Sequence, residues 1–230
     1  MNEIVETYLN QVTTGDSREL VQALSDESID LVLCDPPYLK ADIEAGVYAW
    51  LAETARRVLK PDGFCLTYVG TYWKYHAMLQ MGEYLEYFWD YSVLFRNGQS
   101  AGLHYGRRTM PASTPILAFR KGRAMPYHAV MDVYKCAGAD KSYHKWGQDA
   151  YSVQYYLSCF SQPGDLVLDP FVGGGTVPYV CQQLGRSFVG FEIDPDAADV
   201  ARRRLLRVQH PLPGVSLELA EPPLDWEVSA

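Results

Sequence analysis

A short apolar run that stops at two prolines constrains the fold of this chain more than any other feature. Residues 29–34 are almost all apolar, with the length and composition of a strand buried on both faces of a parallel sheet. Pro36 and Pro37 have no N–H group to donate, so neither can continue the strand. We therefore expect Asp35 and Tyr38 at the carboxyl end of a central strand, where open α/β sheets bind their ligands.

The tetrapeptide Asp35-Pro36-Pro37-Tyr38 suits the methylation of an exocyclic amino group on a base. The lone pair of such a nitrogen is delocalised into the ring. The Asp35 carboxylate, helped by the Pro36 carbonyl, would hold the N–H bonds while the nitrogen becomes pyramidal, and the prolines would fix both acceptors in place. Tyr38 would stack on a base taken out of the duplex. The alternative is structural: the aspartate caps a helix and the prolines form a tight turn.

A second motif lies near residue 170. Residues 166–169 have the pattern of a buried strand, 170–176 form a glycine-rich turn into a helix, and 188–192 form a further strand that ends on an acid. This is the order of a nucleoside-binding βαβ unit, whose glycines let the backbone approach the ligand and whose acid takes the ribose hydroxyls. The spacing matches neither a dinucleotide nor a triphosphate motif. A glycine-rich turn without a ligand is the alternative.

Strand and helix patterns alternate along the rest of the chain, which predicts an α/β fold with a mostly parallel sheet. We expect 60–63 to be the turn that ends a helix, and 115–120 to be an edge strand of the sheet. Residues 123–143 show no clear period. The predicted strands are 11–14, 29–34, 64–69, 84–95, 115–120, 166–169 and 188–192, and the predicted helices are 16–24, 47–59, 72–81, 151–160, 176–184 and 194–208.

The composition is that of a soluble globular protein, with 48% apolar and 21% charged residues in 230. No apolar run reaches the length of a membrane span, and the first residues do not open a signal peptide. The five cysteines are scattered without a Cys-x-x-Cys pair, which indicates a reducing compartment and argues against a zinc site. We expect a cytoplasmic protein that uses no membrane and no metal.

The net charge of −8 is unevenly distributed along the chain. Residues 96–145 carry a net charge of +7, whereas 1–95 carry −9 and 146–230 carry −6. One basic segment in an acidic protein is a candidate footprint for phosphates. A solvated loop with a chance run of charge is the alternative. The candidate nucleic-acid-binding residues are Arg96, Arg107, Arg108, Arg123, Lys141 and Lys145.

The tetrapeptide and the motif near residue 170 together resemble the S-adenosylmethionine-dependent DNA amino-methyltransferases, which modify N6 of adenine or N4 of cytosine. The residues that carry the resemblance are Asp35-Pro36-Pro37-Tyr38 and Asp169-Pro170-Phe171-x-Gly173-x-Gly175-Thr176. The catalytic motif precedes the cofactor motif, with the basic stretch between them, which is the circularly permuted order of the β class. The resemblance covers about residues 11–208. It implies a Rossmann-like, doubly wound, mostly parallel sheet of seven strands with one antiparallel edge strand.

The resemblance also implies roles for the motif residues. Asp35, Pro36 and Tyr38, on the rigid support of Pro37, would hold the target amino group and its base. S-adenosylmethionine would lie on the second motif, with Asp169 near its methionine amino group and Glu192 on its ribose. His144 and Gln148 stand where the family often has His-x-Thr-Gln-Lys-Pro, of which the Lys-Pro is missing here. The other implied cofactor-binding residues are Pro170, Phe171, Gly173, Gly175, Thr176 and, as second choice for the ribose, Asp194.

The implied activity is site-specific methylation of double-stranded DNA, at N6 of a flipped adenine, because a leading Asp in the tetrapeptide favours adenine in this family. The alternatives are N4-cytosine methylation, an RNA or protein amino-methyltransferase, and a non-catalytic DNA- or cofactor-binding subunit. We expect one domain over 1–230, with a catalytic half at 11–122, a basic recognition stretch at 96–145, a cofactor half at 146–208 and an irregular tail at 211–230. A homodimer or a partner subunit is expected, in a restriction–modification setting of bacterial or phage type at the nucleoid.

Overall fold

A computed structural model describes residues 7–95, 107–135 and 149–206. Within these ranges the chain forms strands and helices in mostly alternating order, and a 3₁₀ turn, Val21–Ala23, extends the first helix. The strands are β1 (Gln11–Thr14), β2 (Ile29–Cys34), β3 (Leu59–Tyr68), β4 (Glu86–Leu94), β5 (Ser113–Arg120), β6 (Val133–Lys135), β7 (Leu166–Asp169) and β8 (Ser187–Glu192). The helices are α1 (Ser17–Leu20), α2 (Lys40–Glu44), α3 (Val47–Val58), α4 (Lys74–Gly82), α5 (Ala150–Phe160), α6 (Thr176–Gln183) and α7 (Pro195–Leu206).

The strands form one sheet in the order β1-β8-β7-β2-β3-β5-β4-β6. The first five strands in this order run parallel, and β5 runs antiparallel to both of its neighbours, β3 and β4. Strand β2 lies between β7 and β3, with Leu31 paired to Val167 and Val32 to Cys65. This central position explains why β2 consists of apolar residues on both faces.

Helices cover both faces of the sheet. One apolar core joins the sheet to α5, α6 and α7, through residues such as Val153, Val180 and Ala201. The other joins it to α1, α3 and α4, and includes Leu51 and Met81. The predicted class, a doubly wound α/β fold with a mostly parallel sheet, is confirmed.

Two details of the expected sheet are wrong. The described ranges contain eight strands rather than seven, because the short strand β6 pairs with β4 in a segment that has no clear period. The antiparallel strand β5 is not at an edge, since it lies between β3 and β4. Pro115 is tolerated inside the sheet because it lies near the start of β5, where its carbonyl still accepts a hydrogen bond from the Val69 N–H at 3.1 Å.

The stretch 60–63 is a further correction. Helix α3 ends at Val58 and β3 begins at once with Leu59, so the expected turn is part of the strand. The register between β2 and β3 shifts there, with Ile29 opposite Leu59 but Leu31 opposite Phe64. The three extra residues of β3 form a bulge that includes Asp62, at φ 62°.

The described part of the chain contains no helix that is long and apolar enough to cross a membrane. Nor do its His, Cys, Asp and Glu side chains form any group of three or more that could hold a metal ion. Four cysteines lie in these ranges, and all are buried and free of disulfide bonds: Cys34, Cys65, Cys159 and Cys181.

Candidate active site

Three acidic side chains meet at one edge of the sheet. Strands β2, β7 and β8 are parallel neighbours, so their carboxyl ends lie side by side. Asp35 follows β2, Asp169 is the last residue of β7, and Glu192 is the last residue of β8. The structure therefore brings together the catalytic and cofactor motifs that the sequence places far apart.

The tetrapeptide follows β2 directly, and its first and last side chains are joined to each other. Pro36 is buried and Pro37 is exposed. The Tyr38 hydroxyl donates a hydrogen bond to Oδ1 of Asp35. Burial and the nearby Asp35 carboxylate raise the pKa of Tyr38 well above its usual value of 10. The hydroxyl therefore stays protonated at neutral pH and remains a donor to Asp35.

A buried tyrosine on α3 lies beneath the tetrapeptide, and sequence reasoning missed it. The Tyr48 side chain is fully buried, and its hydroxyl donates to the backbone carbonyl of Tyr68 at 3.5 Å. Burial raises the pKa of Tyr48, and the charge on Asp35 adds to this effect. The only sequence signal is an apolar position in a helix, which does not distinguish Tyr48 from an ordinary core residue.

Asp169 is a buried carboxyl group in an acidic surrounding. It is 2% exposed, and its Oδ1 accepts a hydrogen bond from the Phe171 N–H at 3.0 Å. Burial raises the pKa of Asp169 well above 3.8, Glu192 and Asp35 add to the rise, and the bond from Phe171 opposes it. A cationic group bound here would offset the desolvation cost of the buried carboxylate and its repulsion by Glu192 and Asp35. The site therefore favours a positively charged ligand.

The glycine-rich loop contains two glycines with positive φ and different surroundings. At Gly173, with φ 51°, no atom of the described residues lies within 4 Å of the position that a Cβ would take, so these residues leave open space beside the loop. At Gly175, with φ 78°, a Cβ would lie 2.8 Å from the Cβ of Ala201 on α7. Gly173 thus leaves room for a ligand, whereas Gly175 allows α7 to pack against the loop.

Thr176 and Arg204 tie the same loop to α7. The buried Arg204 guanidinium donates from Nη1 to Thr176 Oγ1 at 2.9 Å and to the Gly174 carbonyl at 3.3 Å. Its Cζ lies 4.8 Å from the centre of the Tyr179 ring, which adds a cation–π contact. Thr176, predicted as a cofactor-binding residue, therefore has a structural partner on its hydroxyl.

The neighbouring part of the loop is braced from α1 and α3. The Ser17 hydroxyl donates to the carbonyl of the buried Pro170. The half-buried Phe171 ring meets the edge of Trp50 with the two centroids 5.7 Å apart, and the Arg18 guanidinium lies over the Trp50 ring at 5.9 Å. Both contacts hold the loop at the end of β7 in one position.

Glu192 is held by the backbone on both of its carboxylate oxygens. Oε2 accepts from the Gly173 N–H at 2.7 Å, and Oε1 accepts from the Asp194 N–H at 2.9 Å. Asp194 itself is exposed, and its Oδ1 accepts from the Asp196 N–H at 2.9 Å, which caps the start of α7. Sequence reasoning missed Ile193, a 67% exposed apolar side chain next to Glu192, although an apolar residue between two acids after a strand is a usable signal.

The structure brings together only some of the basic residues predicted to bind nucleic acid. Arg107 and Arg108 are exposed, and the Arg107 Cζ lies 5.5 Å from the centre of the Tyr72 ring. Arg123 follows β5, which runs antiparallel to β3. It therefore lies near the amino ends of the parallel strands, away from the three acids, and its N–H donates to Asp62 Oδ1 at 2.6 Å. The remaining predicted residues, Arg96, Lys141, Lys145, His144 and Gln148, lie outside the described residues.

Two curated relatives are type II methyltransferases by name. The type II methyltransferase M.HinfI of Haemophilus influenzae is 25% identical over an alignment of 276 residues, which covers 96% of this chain and 76% of the relative. The type II methyltransferase M.BamHI of Bacillus amyloliquefaciens is 26% identical over 242 residues, which covers 81% of this chain and 55% of the relative. This chain thus spans about half the length of M.BamHI.

Solved structures share the fold. The crystal structure of the M1.HpyAVI–SAM complex has a TM-score of 0.69 at 21% identity, over 85% of this chain and 98% of that one. The PvuII DNA methyltransferase, described as cytosine-N4-specific, has a TM-score of 0.73 at 17% identity, over 87% and 89% of the two chains. The model of the DNA methylase family that comprises N6- and N4-methylases matches residues 29–203, most of the chain and both motifs. The resemblance drawn from the sequence is confirmed, and the chain belongs to the DNA methylase family.

Proposed function

We propose that this protein transfers a methyl group from S-adenosylmethionine to N6 of an adenine in double-stranded DNA. The observation that carries the proposal is that the carboxyl ends of β2 and β7 lie side by side. Asp35, the proposed acceptor of the amino group, lies there beside the glycine loop and the buried carboxyl group of Asp169, and this pair supports binding of a cationic nucleoside. Membership of the DNA methylase family supports the same reading.

The residues at this edge fit S-adenosylmethionine, which when bound supplies a methyl group on a positively charged sulfur. Asp169 offers its carboxyl group to the cationic methionine end. Each Glu192 oxygen accepts one backbone N–H, and a carboxylate has about four acceptor positions, so capacity remains for two ribose hydroxyls. Gly173 leaves space beside the loop, and Ile193 presents an exposed apolar face against which a purine can pack.

The tetrapeptide performs the chemistry on the target base by positioning. Asp35 and the Pro36 carbonyl accept the two N–H bonds of the amino group, which draws its lone pair out of conjugation with the ring. The Tyr38 hydroxyl keeps Asp35 oriented from one of its oxygens. Asp35 and Pro36 would thus hold the amino nitrogen in position for direct transfer. The bound cofactor would supply the methyl group: the S–CH3 bond would break as the N–CH3 bond forms, the sulfur would leave as a neutral thioether and the surplus amino proton would pass to solvent. No covalent bond between protein and base is required.

The leading Asp35 supports adenine as the target, because the family tends to have Ser at this position when cytosine is modified. The cytosine-N4 specificity of the PvuII enzyme belongs to that protein, and at 17% identity it carries no weight for this chain's base. The choice of base is therefore decided by direct chemical identification of the product.

The test is nucleoside mass spectrometry. Unmethylated plasmid DNA is incubated with the protein and S-adenosylmethionine, digested to nucleosides and analysed for N6-methyladenine and N4-methylcytosine. We expect N6-methyladenine from the wild type and from Glu44→Gln, an exposed acid on the neighbouring α2, and none from Asp35→Asn. Calorimetry should show that Asp35→Asn still binds S-adenosylmethionine.

Each contrary result overturns a different part of the proposal. N4-methylcytosine in place of N6-methyladenine would replace the target base. Full activity of Asp35→Asn would remove the proposed role of the tetrapeptide. Cofactor binding without any DNA product, together with methylation of RNA or protein in parallel incubations, would replace the substrate class.

A further inference from the structure

We infer that Tyr72 and Arg107 form a stacking surface that holds an unstacked nucleotide of the target strand next to the methylated base. This inference rests on the proposed function, because it assigns the surface to the same DNA strand. It is carried by the position of these two side chains, their exposure and their charge.

The surface adjoins the catalytic tetrapeptide. Strands β2 and β3 are parallel neighbours, so the loop after β3 lies beside the tetrapeptide after β2. At Gly70, a Cβ would lie 3.6 Å from Cγ of Tyr38 and 3.6 Å from Cδ1 of Trp73, so the two rings flank this glycine. The Trp73 ring meets the Tyr72 ring at 86° with the centroids 4.7 Å apart. Tyr38 and Trp73 thus both border Gly70, and Trp73 contacts Tyr72, so Tyr72 lies close to the catalytic tetrapeptide.

Large side chains are exposed on this side of the site. Tyr72 is 42% exposed, although it is an aromatic residue that a soluble protein usually covers. Leu39, directly after the tetrapeptide, and Met110, just after Arg108, are also exposed. The Thr71 hydroxyl donates to the Ser113 carbonyl at 3.3 Å, which fixes the loop after β3 to the start of β5. The exposed rings therefore stand on a braced loop.

The charge on this surface suits a nucleic-acid strand. The Arg107 Cζ lies 5.5 Å from the centre of the Tyr72 ring, and Arg108 lies next to it in the chain. Within the ranges that the structure describes, neither arginine forms an ion pair with a carboxylate, whereas Lys74, Arg120 and Lys121 each do. Their positive charge is therefore not neutralised by these residues and complements a phosphate backbone.

A guanidinium that stacks on an aromatic ring is a recognised platform for unstacked bases, because both planes accept the face of any base. Removal of a base from the duplex leaves its neighbours without a stacking partner on one side. We assign the platform to such a neighbour, with the base against the Tyr72–Arg107 pair and its phosphates near Arg107 and Arg108. The chemistry predicts a contribution to DNA binding and none to cofactor binding.

The chain offers a matched control. Tyr87 on β4 is 43% exposed, close to the value of Tyr72. It pairs, however, with Phe119 near the amino ends of the parallel strands, away from the tetrapeptide. Its ring lies 5.7 Å from that of Phe119 and has no guanidinium over it in the described structure. Tyr87→Ala therefore removes an exposed ring of equal size from a surface with no proposed role.

The experiment measures initial rates on unmethylated plasmid DNA, with separate KM values for DNA and for S-adenosylmethionine at two salt concentrations. The variants are Tyr72→Ala, Tyr72→Phe, Arg107→Ala, Arg107→Lys and Tyr87→Ala. We expect Tyr72→Ala and Arg107→Ala to raise the KM for DNA at least about fivefold, the lower end of base–aromatic stacking. The KM for S-adenosylmethionine should not change.

The conservative variants separate stacking from charge. Tyr72→Phe keeps the ring and should behave like the wild type, as should Tyr87→Ala. Arg107→Lys keeps the charge but loses the plane, so it should retain the wild-type salt dependence and still raise the KM for DNA. Full rescue by Arg107→Lys, or an unchanged KM for DNA in Tyr72→Ala, would overturn the inference while the wild type remained active. An inactive wild type would instead overturn the proposed function.

Discussion

The hydroxyl of Tyr38 donates a hydrogen bond to Oδ1 of Asp35, three residues earlier in the chain. The two prolines between them make this short segment rigid, so Asp35, the proposed acceptor of the target amino group, is oriented before DNA arrives. The Tyr38 ring at the same time packs beside Gly70, which fixes the hydroxyl in place.

Tyr38→Phe should lower kcat roughly 10- to 100-fold, since a hydrogen bond to a charged group contributes about 1.5–3 kcal/mol. The ring remains, so the KM for DNA should change little, whereas Tyr38→Ala should raise it as well. Because the pKa of Tyr38 is raised well above 10, its hydroxyl stays protonated and wild-type kcat should not fall through this group between pH 7 and 10. An alkaline loss of kcat that disappears in Tyr38→Phe would contradict this assignment.

Asp169→Asn should stabilise the fold and impair cofactor binding. The pKa of Asp169 is raised in the folded protein, so its contribution favours folding below the ordinary pKa of 3.8 and is lost as the pH rises through the folded value. At pH 8, above the ordinary pKa, burial of this carboxyl group therefore opposes folding, and asparagine, which mimics the protonated form, removes this cost. Thermal melts should show a higher Tm for Asp169→Asn at pH 8, with a smaller difference at pH 5. An equal Tm at pH 8 would contradict the pKa shift.

Gly173→Ala and Gly175→Ala should separate ligand binding from folding. Both residues have positive φ, so alanine costs about 1 kcal/mol of strain at either position. At Gly173 the added methyl group enters open space, so we expect a folded protein with weakened S-adenosylmethionine binding. At Gly175 it would overlap Ala201, which adds about 1–3 kcal/mol and displaces α7.

Chemical denaturation and calorimetric titration with S-adenosylmethionine distinguish the two glycine variants. Gly175→Ala should lose clearly more stability than Gly173→Ala. Equal losses of stability would show that Gly175 is not needed for α7 to pack against the loop. Unchanged cofactor affinity in Gly173→Ala would show that the space beside Gly173 is not the cofactor site.

Arg204→Met should lower the free energy of unfolding by about 2–3 kcal/mol, because it leaves the Gly174 carbonyl and the Thr176 hydroxyl without the donor that they share. That loss corresponds to a fall in Tm of about 5–10 °C for a chain of this size. Arg203→Met, at the exposed neighbouring position, is the control and should have nearly the wild-type Tm. A similar Tm for both variants would show that Arg204 does not hold α7 to the glycine loop.

Several features could be predicted from the sequence because they are local. The apolar runs that become β2 and β7 are too short for helices, and the residues that follow them, Pro36 and the glycine-rich turn, cannot continue a strand. Asp35 and Asp169 therefore had to lie at strand ends, and parallel strands place such ends at a common edge. The alternation of strand and helix patterns was sufficient for the fold class.

The tertiary structure decided which of the motif residues face a ligand. Gly173 and Gly175 look alike in the sequence, and only the packing of α7 shows that Gly175 meets Ala201 while Gly173 borders open space. Thr176 likewise proved to bond Arg204 on α7. These roles depend on side chains brought in from another element, so no local pattern carries them.

The sheet order and the surface beside the tetrapeptide were also decided in three dimensions. Strand β5 lies inside the sheet because β4 and β6 pair on its far side, and β6 is too short to show a period. Tyr72 and Arg107 come into contact because the chain folds back from β4 into β5. The sequence by itself determined where strands and helices form and end, since steric and hydrogen-bonding rules act between near neighbours. Which distant residues meet depended on how the apolar faces of those elements packed together.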